Sequence, residues 1–172
     1  VDDIIESVLQ LSRRAPSDPN DLSAEQWLTE FVREFRAETG GGHTVNVTVS
    51  PPDLSVRFDA GQLRQVMWNL CENSVRHGGK EVALALTAGV SPDGVRPFVE
   101  VADDGPGLDP DAATHLFEPF FTTRSDGTGL GLYLARELCE ANQSTLGLRA
   151  GLDAGATFRI TLADPRRQQA ST

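Results

Sequence analysis

The sequence predicts an α+β fold in which helices cover one face of a sheet. Segments whose apolar residues recur at intervals of three and four, as in helices, are mixed with segments that alternate apolar and polar residues, as in strands. The two kinds of segment do not alternate strictly along the chain, which favours a two-layer sandwich. No apolar run approaches the roughly 18 residues of a membrane span, so we expect one globular domain with short extensions from the 172 residues.

The composition argues against several classes of function. With a formal net charge of -10 and a pI near 4.7, a broad attraction to nucleic acid or anionic membranes is not expected, so any phosphate must be held by local groups. Cys71 and Cys139 fall inside predicted amphipathic helices without the C-x-x-C spacing of redox or zinc sites, which favours buried, reduced thiols. The acidic start of the chain does not resemble a signal peptide, and the chain reads as a piece of a longer protein.

The first segment predicts a short helix that needs a partner. Val1, Ile4, Val8 and Leu11 follow a heptad-like spacing, and a helix of this length is marginal alone. It can pack on the globular body or against a second copy in a coiled coil, and the spacing favours the second. Prolines at positions 16 and 19 then predict a linker. The predicted organisation is the end of a dimerisation helix at 1–15, a linker at 16–21, a globular domain at 22–164 and a polar tail at 165–172.

The globular domain reads as a series of helices and strands. Ser23 can cap a helix that runs to residue 38, with Gln26 completing a capping box and three glycines at 40–42 ending the helix. Further helices are predicted over 60–77, near 111–116 and over 130–141. Strands are predicted over 45–49, 56–58, 81–87, 97–102, 145–150 and 156–162.

The helix predicted over 60–77 carries an unusual polar stripe. Asn69, Glu72, Asn73 and Arg76 recur at steps of three and four, opposite the apolar face. Asparagine is a poor helix former, so two asparagines aligned with a glutamate suggest a task beyond solvation. Amide oxygens suit Mg²⁺, which takes part of its ligands from substrate phosphates, and a carboxylate can orient a proton in phosphoryl transfer. From the stripe alone, an ordinary solvated face remains the simpler interpretation.

Two glycine clusters lie between a predicted strand and a predicted helix. The first runs over 103–107 and the second over 127–132. Neither is a Walker A loop or a G-x-G-x-x-G loop, and either alone is more often a tight turn. The second opens into a helix, whose free backbone N–H groups offer a phosphate site. Asp103, at a strand end, can accept a hydrogen bond from an exocyclic amino group such as that of adenine.

Three phenylalanines lie between the glycine clusters, at positions 117, 120 and 121. They can form a plug in the core, or a lid whose aromatic side chains pack differently with and without ligand. The sequence leaves both interpretations open. Arg124, just before the second cluster, is placed to meet a terminal phosphate.

In this order the segments resemble the catalytic ATP-binding domain of bacterial sensor histidine kinases, whose fold is shared with gyrase, Hsp90 and MutL. Residues 69–77 resemble the N box, 103–108 the G1 box, 117–121 the F box and 127–132 the G2 box. Residues 155–162 resemble the family's closing strand. The sequences of residues 9–14 and 120–124 are most similar to those of nitrogen-regulatory and type IV pilus sensor kinases. The resemblance covers about 22–162. It implies the Bergerat fold, a two-layer α/β sandwich with a mixed, mainly antiparallel sheet.

The resemblance also implies a role for each matching residue. Asn73 would coordinate Mg²⁺, and Glu72 would polarise the attacking group. Asp103 would read the adenine amino group, with Thr157 beside the adenine. The implied site comprises the catalytic residues Glu72, Asn69 and Arg124, and a nucleotide pocket formed by Asn69, Asn73, Arg76, His77, Asp103, Gly105, Gly107, Leu108, Phe117, Thr123, Arg124, Gly127, Thr128, Gly129, Leu130, Gly131, Leu132 and Thr157.

The function that the resemblance implies is transfer of the γ-phosphate of Mg-ATP to a histidine on a dimerisation domain, for relay to a response regulator. His43, His77 and His115 all lack the sequence context of the phosphoacceptor, which is therefore expected upstream of this chain. The complete kinase would be a homodimer with this domain in the cytoplasm, next to an inner-membrane sensor. The oligomeric state of the chain itself stays open.

One departure from the family pattern and two alternative functions remain. Residues 142–144, Asn-Gln-Ser, replace the usual His-Gly-Gly, which puts that turn in doubt but no catalytic group. An ATP-driven clamp like gyrase, Hsp90 or MutL is the alternative within the fold, although the F box favours the kinases. A degenerate module that uses nucleotide, or only its surface, to recruit partners is the other alternative.

Overall fold

The computed structural model describes residues 4–6, 8–9, 16–79, 81–125, 127–149 and 155–165. Residues 4–6 and 8–9 are helical, in agreement with the predicted N-terminal helix. The rest of that prediction, including Val1 and Leu11, lies outside the described residues, as does the polar tail beyond residue 165. Within the described ranges, no helix is long and apolar enough to cross a membrane.

Seven strands and four helices follow residue 19 in the described part of the chain. The strands are β1 (Asn20–Ser23), β2 (Thr44–Val49), β3 (Ser55–Phe58), β4 (Ala83–Val90), β5 (Pro97–Asp103), β6 (Thr145–Leu148) and β7 (Thr157–Thr161). The helices are α1 (Ala24–Thr39), α2 (Ala60–Gly78), α3 (Pro110–His115) and α4 (Gly131–Ala141).

Five of the strands form the main sheet, in the order β2-β4-β5-β7-β6. The pair β2–β4 is parallel, and the other three pairs are antiparallel. Helices pack on one face, where alternate strand residues such as Val101 and Phe158 are buried with Met67 and Leu70 of α2. The predicted sandwich with a mixed, mainly antiparallel sheet is therefore confirmed.

The segment predicted as a linker is attached to the domain. Asn20–Ser23 pairs antiparallel with Ser55–Phe58 in a separate two-stranded sheet. Just before it, the Ser17 hydroxyl donates to Gln62 Oε1 at 2.7 Å, and the Asp18 N–H donates to Asp59 Oδ2 at 2.9 Å. Two prolines exclude a helix here but not extended chain, and sequence pattern alone does not reveal a strand whose partner lies so far along the chain. The division of the chain into domains stays a prediction.

The ends of α1 follow the predicted local chemistry. Ser23 Oγ accepts the N–H of Gln26 at 3.3 Å, as expected for an N-cap. At the other end, Gly40 adopts a left-handed φ of 84°, a conformation that glycine takes without steric cost. The limits of α1 therefore agree with the prediction to within one residue.

The two cysteines lie on α2 and α4, which pack against each other. Both are free and fully buried, as predicted. Burial raises the pKa of the Cys139 thiol to about 12, and it raises the pKa of Cys71 above its usual range. Neither thiol is therefore a nucleophile in the folded chain.

Candidate functional site

A cavity of about 530 Å³ lies between α2 and the chain segment that leads to α4. We call residues 116–129 the lid segment. The cavity has the size of small-molecule sites. It brings together twelve of the residues predicted for the site, namely Asn69, Glu72, Asn73, Arg76, His77, Thr123, Arg124, Gly127, Thr128, Gly129, Gly131 and Leu132.

Asn69 holds the two helices of the site together. Its Nδ2 donates to the carbonyl of Gly131 at 3.0 Å, and its Oδ1 accepts from Gln65 at 3.1 Å. The first residue of α4 is thereby fixed to the polar stripe of α2. The N-terminus of α4 is also close to the cavity, because Gly131 and Leu132 line it.

Asn73 is the polar group of the stripe that is most open to a ligand. Its side chain is half-buried and lines the cavity. Within the described residues its amide has no hydrogen-bond partner. On the same helix, Glu72 and Arg76 form an exposed ion pair with an Nη2–Oε1 distance of 3.4 Å. The stripe thus presents an amide oxygen next to a carboxylate and a guanidinium.

The lid segment is attached to the end of α2 by an arginine. Arg124 Nη1 donates to the backbone carbonyl of Arg76 at 2.8 Å. The Thr122 hydroxyl donates to the Arg124 carbonyl at 3.0 Å, and Thr122 Oγ1 lies 3.1 Å from the Arg124 N–H. The backbone and the guanidinium of Arg124 are therefore both hydrogen-bonded, and the residue lines the cavity.

Gly129 lies in close contact with the phenylalanine turn. A Cβ at Gly129 would lie 2.4 Å from the backbone carbon of Phe120, and the glycine has a left-handed φ of 71°. The Phe120 N–H donates to the Gly129 carbonyl at 2.9 Å, while Phe120 itself adopts a φ of 65°. Glycine is therefore required at position 129, because a Cβ would collide with the Phe120 backbone and because the φ is left-handed.

The three phenylalanines divide between the two interpretations of the sequence. Phe117 packs edge-on against the core residue Phe158, with centroids 6.3 Å apart, and the guanidinium of Arg136 lies over the Phe117 ring, 5.5 Å from its centroid. Phe117 is thus a core plug and does not line the cavity. Phe120 is 64% exposed. Phe121 lines the cavity and contacts the ring of His115 at 5.6 Å.

The first glycine cluster adjoins the cavity without lining it. Asp103 Oδ1 accepts the N–H groups of Gly105 at 3.0 Å and Ala156 at 3.2 Å. A Cβ at Gly105 would lie 3.2 Å from the Cα of Gly78, so this loop rests on the end of α2 that carries Asn73. Seven predicted site residues are outside the cavity lining, namely Asp103, Gly105, Gly107, Leu108, Phe117, Leu130 and Thr157.

Thr157, Gly107 and Gly155 lie next to Asp103, outside the cavity lining. Thr157 is buried and pairs with Ala102 across β5 and β7. A Cβ at Gly155 would lie 1.8 Å from the Asp103 carbonyl oxygen, and one at Gly107 would lie 3.4 Å from the Gly155 carbonyl oxygen. The contact at Gly155 leaves no space for a side chain, and at Gly107 the left-handed φ of 79° favours glycine.

The sequence did not identify several residues that line the cavity. Gln65 and Trp68 lie one turn before Asn69 and Glu72 on α2, so extending the polar stripe by one turn would have found them. Arg64, Glu38 and Glu6 line the same end. Their contribution depends on how α1 and the N-terminal helix pack, which no local pattern reveals.

Comparison with known families identifies the class of protein. Residues 58–166 match the family described as histidine kinase-, DNA gyrase B-, and HSP90-like ATPase. The match covers more than half of the chain, so the chain belongs to this ATPase family. The four boxes seen in the sequence fall within the matched residues.

The similar proteins include sensor kinases. The sensor protein kinase PilS of Pseudomonas aeruginosa is 44% identical over 169 residues, which is 95% of this chain and 32% of PilS. Full-length ShkA in complex with AMPPNP is 30% identical with a TM-score of 0.76, over 93% of this chain and 35% of ShkA. ThkA in complex with the response regulator TrrA has a TM-score of 0.79 over 97% of this chain and 48% of that one, at 19% identity, and shows the fold alone. The chain spans about a third of the length of the curated relative PilS.

Proposed function

We propose that this chain binds Mg-ATP and transfers the γ-phosphate to a histidine on a dimerisation domain, from which a response regulator receives it. The observation that carries the proposal is one cavity lined by Asn73, whose amide has no hydrogen-bond partner in the described residues, by its neighbour Glu72 and by glycines of the second cluster. Similarity to the sensor protein kinase PilS and to ShkA, which was solved with AMPPNP, supports it. The complete protein would be a homodimeric inner-membrane sensor kinase with this domain in the cytoplasm.

The residues of α2 fit a magnesium ion that is shared with phosphates. Asn73 offers a hard amide oxygen, and within the described residues no group of three His, Cys, Asp or Glu could hold a metal by itself. Mg²⁺ usually takes one or two protein oxygens and completes its shell with water and substrate phosphates. Bound at Asn73, it would neutralise charge on the phosphates. Arg76 and Arg124 would add positive charge at the same place.

Glu72 would act on the attacking histidine. It is now paired with Arg76, and a bound phosphate would compete for that guanidinium. The released carboxylate can accept the imidazole N–H proton while the nitrogen–phosphorus bond forms and the bond to the bridging oxygen of ATP breaks. The glycine cluster at 127–131 would exclude water from the transferring group, with Asn69 holding the start of α4 in place.

Asp103 would recognise the adenine, with Thr157 on the neighbouring strand. One oxygen of Asp103 is held by two backbone N–H groups, which orients the other to accept from an exocyclic amino group. Asp103→Asn can keep these backbone bonds but replaces the second acceptor with a donor. We expect about 10- to 150-fold weaker ATP binding, as for loss of a charged hydrogen bond worth about 1.5–3 kcal/mol.

Calorimetric titration with Mg-ATP measures this effect, and Asp104→Asn is a matched control. Asp104 is exposed and accepts the Ala83 N–H at 2.8 Å, a bond that asparagine can also make. The control changes net charge equally but should leave affinity unchanged. Wild-type affinity in Asp103→Asn would refute the adenine assignment.

Glu72→Gln separates binding from transfer. We expect it to retain Mg-ATP binding and to lose most transfer to a separately produced dimerisation domain, measured as acid-labile phosphate on histidine. General-base catalysis contributes about 10²- to 10⁴-fold, which sets the size of the loss. A variant that transfers phosphate at the wild-type rate would remove Glu72 from the mechanism, and ATP hydrolysis without transfer would favour an ATP-driven clamp.

A further inference from the structure

Strand β2 is an edge strand without the usual protection. It stands first in the order of the main sheet, and within the described ranges it pairs with β4 alone. Its sequence, Thr-Val-Asn-Val-Thr-Val, contains no charged residue and no proline, and its register with β4 is continuous. Edge strands that must stay unpaired usually carry charges, prolines or bulges. The β2 edge therefore has the properties of a strand that can accept another.

One hydrogen bond shows which backbone groups face away from the sheet. Arg36 Nη2 donates to the Val45 carbonyl at 2.8 Å. Because strand residues alternate with a period of two, the N–H and carbonyl groups of Val47 and Val49 point to the same open side. Arg36 occupies the Val45 carbonyl at one end of this edge. Val47 and Val49, the next two outward-facing residues, pair with no strand on that side in the described part of the chain.

A groove runs along this edge between α1 and β2. Its volume is about 470 Å³, and its apolar wall is formed by Val32, Val45 and Val47. It shares no lining residue with the cavity at Asn73. The opposite face of β2 carries the exposed polar residues Thr44, Asn46 and Thr48. An added strand would thus meet an apolar surface on one side and a polar one on the other.

The charged residues of the groove are both arginines. Arg33 and Arg36 line it, and in the described residues neither forms an ion pair with a carboxylate. Arg57, Arg64 and Arg159 each have such a partner. In a chain of net charge -10, two uncompensated guanidinium groups beside an apolar groove make a local site of positive charge.

We propose that the β2 edge binds an extended, acidic segment of a partner protein by strand addition. The backbone of the segment pairs with Val47 and Val49, its alternate apolar side chains enter the groove, and its carboxylates meet Arg33 and Arg36. Backbone bonds supply affinity in this mode of recognition, and the alternating side chains supply specificity. This interaction is independent of the proposed phosphoryl transfer.

The probe is a short acetylated peptide of alternating valine and threonine with two glutamates at each end. We expect saturable binding to the full chain by calorimetry, with NMR shifts in the amides of β2 and α1. Arg33→Glu should weaken binding at least tenfold. Arg96→Glu, which changes an exposed arginine just before β5, should leave binding unchanged. Replacing the glutamates of the peptide by lysine should weaken binding to a similar extent.

Two further variants test the backbone pairing itself. Val47→Pro removes an outward N–H, a substitution that edge strands tolerate, and should abolish binding. A peptide N-methylated at alternate residues makes the same test without changing the protein, in case the variant does not fold. Absence of binding, equal binding of the lysine or N-methylated peptide, or concentration-dependent dimerisation of the wild-type chain that Val47→Pro abolishes would overturn the proposal.

Discussion

Gly129 shows how a single residue shapes the candidate site. Its backbone lies against Phe120, and alanine there would bring a Cβ to within 2.4 Å of the Phe120 backbone at a φ of 71°. We expect Gly129→Ala to displace the lid segment and to weaken Mg-ATP binding about tenfold or more, because the strain falls on a loop that lines the cavity. Calorimetric titration measures the change.

Gly147→Ala is the matched control for this substitution. Gly147 lies in β6, has no atom within 4 Å of an added Cβ and is not at a positive φ. Its affinity for nucleotide should equal that of the wild type. If Gly129→Ala bound Mg-ATP as tightly as Gly147→Ala, the lid would not contribute to the nucleotide site.

The cysteines give a residue-scale prediction about pH. The thiols of Cys71 and Cys139 stay protonated in the folded chain because burial raises each pKa, whereas in the unfolded chain they ionise near the ordinary value of 9.0. The contribution of the buried, neutral thiols to the free energy of unfolding is therefore complete below pH 9 and is lost as the pH rises toward about 12. We expect the free energy of unfolding to fall over that interval, and the fall to be smaller in Cys139→Ala. An unchanged pH profile in that variant would contradict the expectation.

At the scale of elements, two asparagines fasten α2 to α4. Asn69 holds the start of α4, and Asn142 holds its end. Asn142 is buried, accepts the Asp59 N–H at 2.9 Å and donates to Gln62 Oε1 at 2.7 Å. Gln62 in turn accepts from Ser17, so this contact also anchors the segment that precedes β1.

Asn142→Ala tests the second contact. It would leave the partly buried N–H of Asp59 without its acceptor and would remove one of the two bonds to Gln62 Oε1, which keeps the Ser17 hydroxyl, and we expect a loss of about 1–3 kcal/mol in the free energy of unfolding. Urea denaturation measures it, with Asn20→Ala as control, because Asn20 makes one exposed bond to the Asp18 carbonyl. The control should lie within about 0.5 kcal/mol of the wild type. Equal stability of both variants would contradict the role given to Asn142.

The departure at residues 142–144 has a structural explanation. Gln143 adopts a φ of 57°, at the position where the family pattern has a glycine. Asn142 forms the buried contacts at the end of α4. The chain therefore makes this turn without a glycine. A non-glycine residue at this φ carries a modest conformational cost.

Local patterns predicted most elements of the fold, because periodicity and capping act within a few residues. Ser23, Gly40 and the apolar face of α2 are examples. Strand β1 was missed because its pairing with β3 spans more than thirty residues of chain, and four residues give too short a pattern. Glycine and asparagine motifs likewise indicated where a site lies, but not which members line the cavity.

At the scale of the whole molecule, the site residues depend on contacts between distant segments. Asp103 is oriented by the N–H of Ala156, and Arg124 by the backbone of Arg76. These contacts exist only once the sheet and the helical layer have formed. The sequence motifs could therefore indicate the residues but not the backbone groups that orient them. Charge is also distributed locally, because the described lining of the groove has Arg33 and Arg36 without an acidic residue, whereas the cavity combines Arg76 and Arg124 with acidic residues such as Glu72.

We propose that the cavity beside α2 holds adenine nucleotide through Mg²⁺ at Asn73. The decisive experiment is calorimetric titration of the wild type and of Asn73→Ala with ATP, once with Mg²⁺ and once with EDTA. We expect saturable binding that is tighter with Mg²⁺ in the wild type, and a variant whose weaker binding no longer depends on the metal. No heat at millimolar nucleotide, or an unchanged dependence on Mg²⁺ in Asn73→Ala, would contradict the claim.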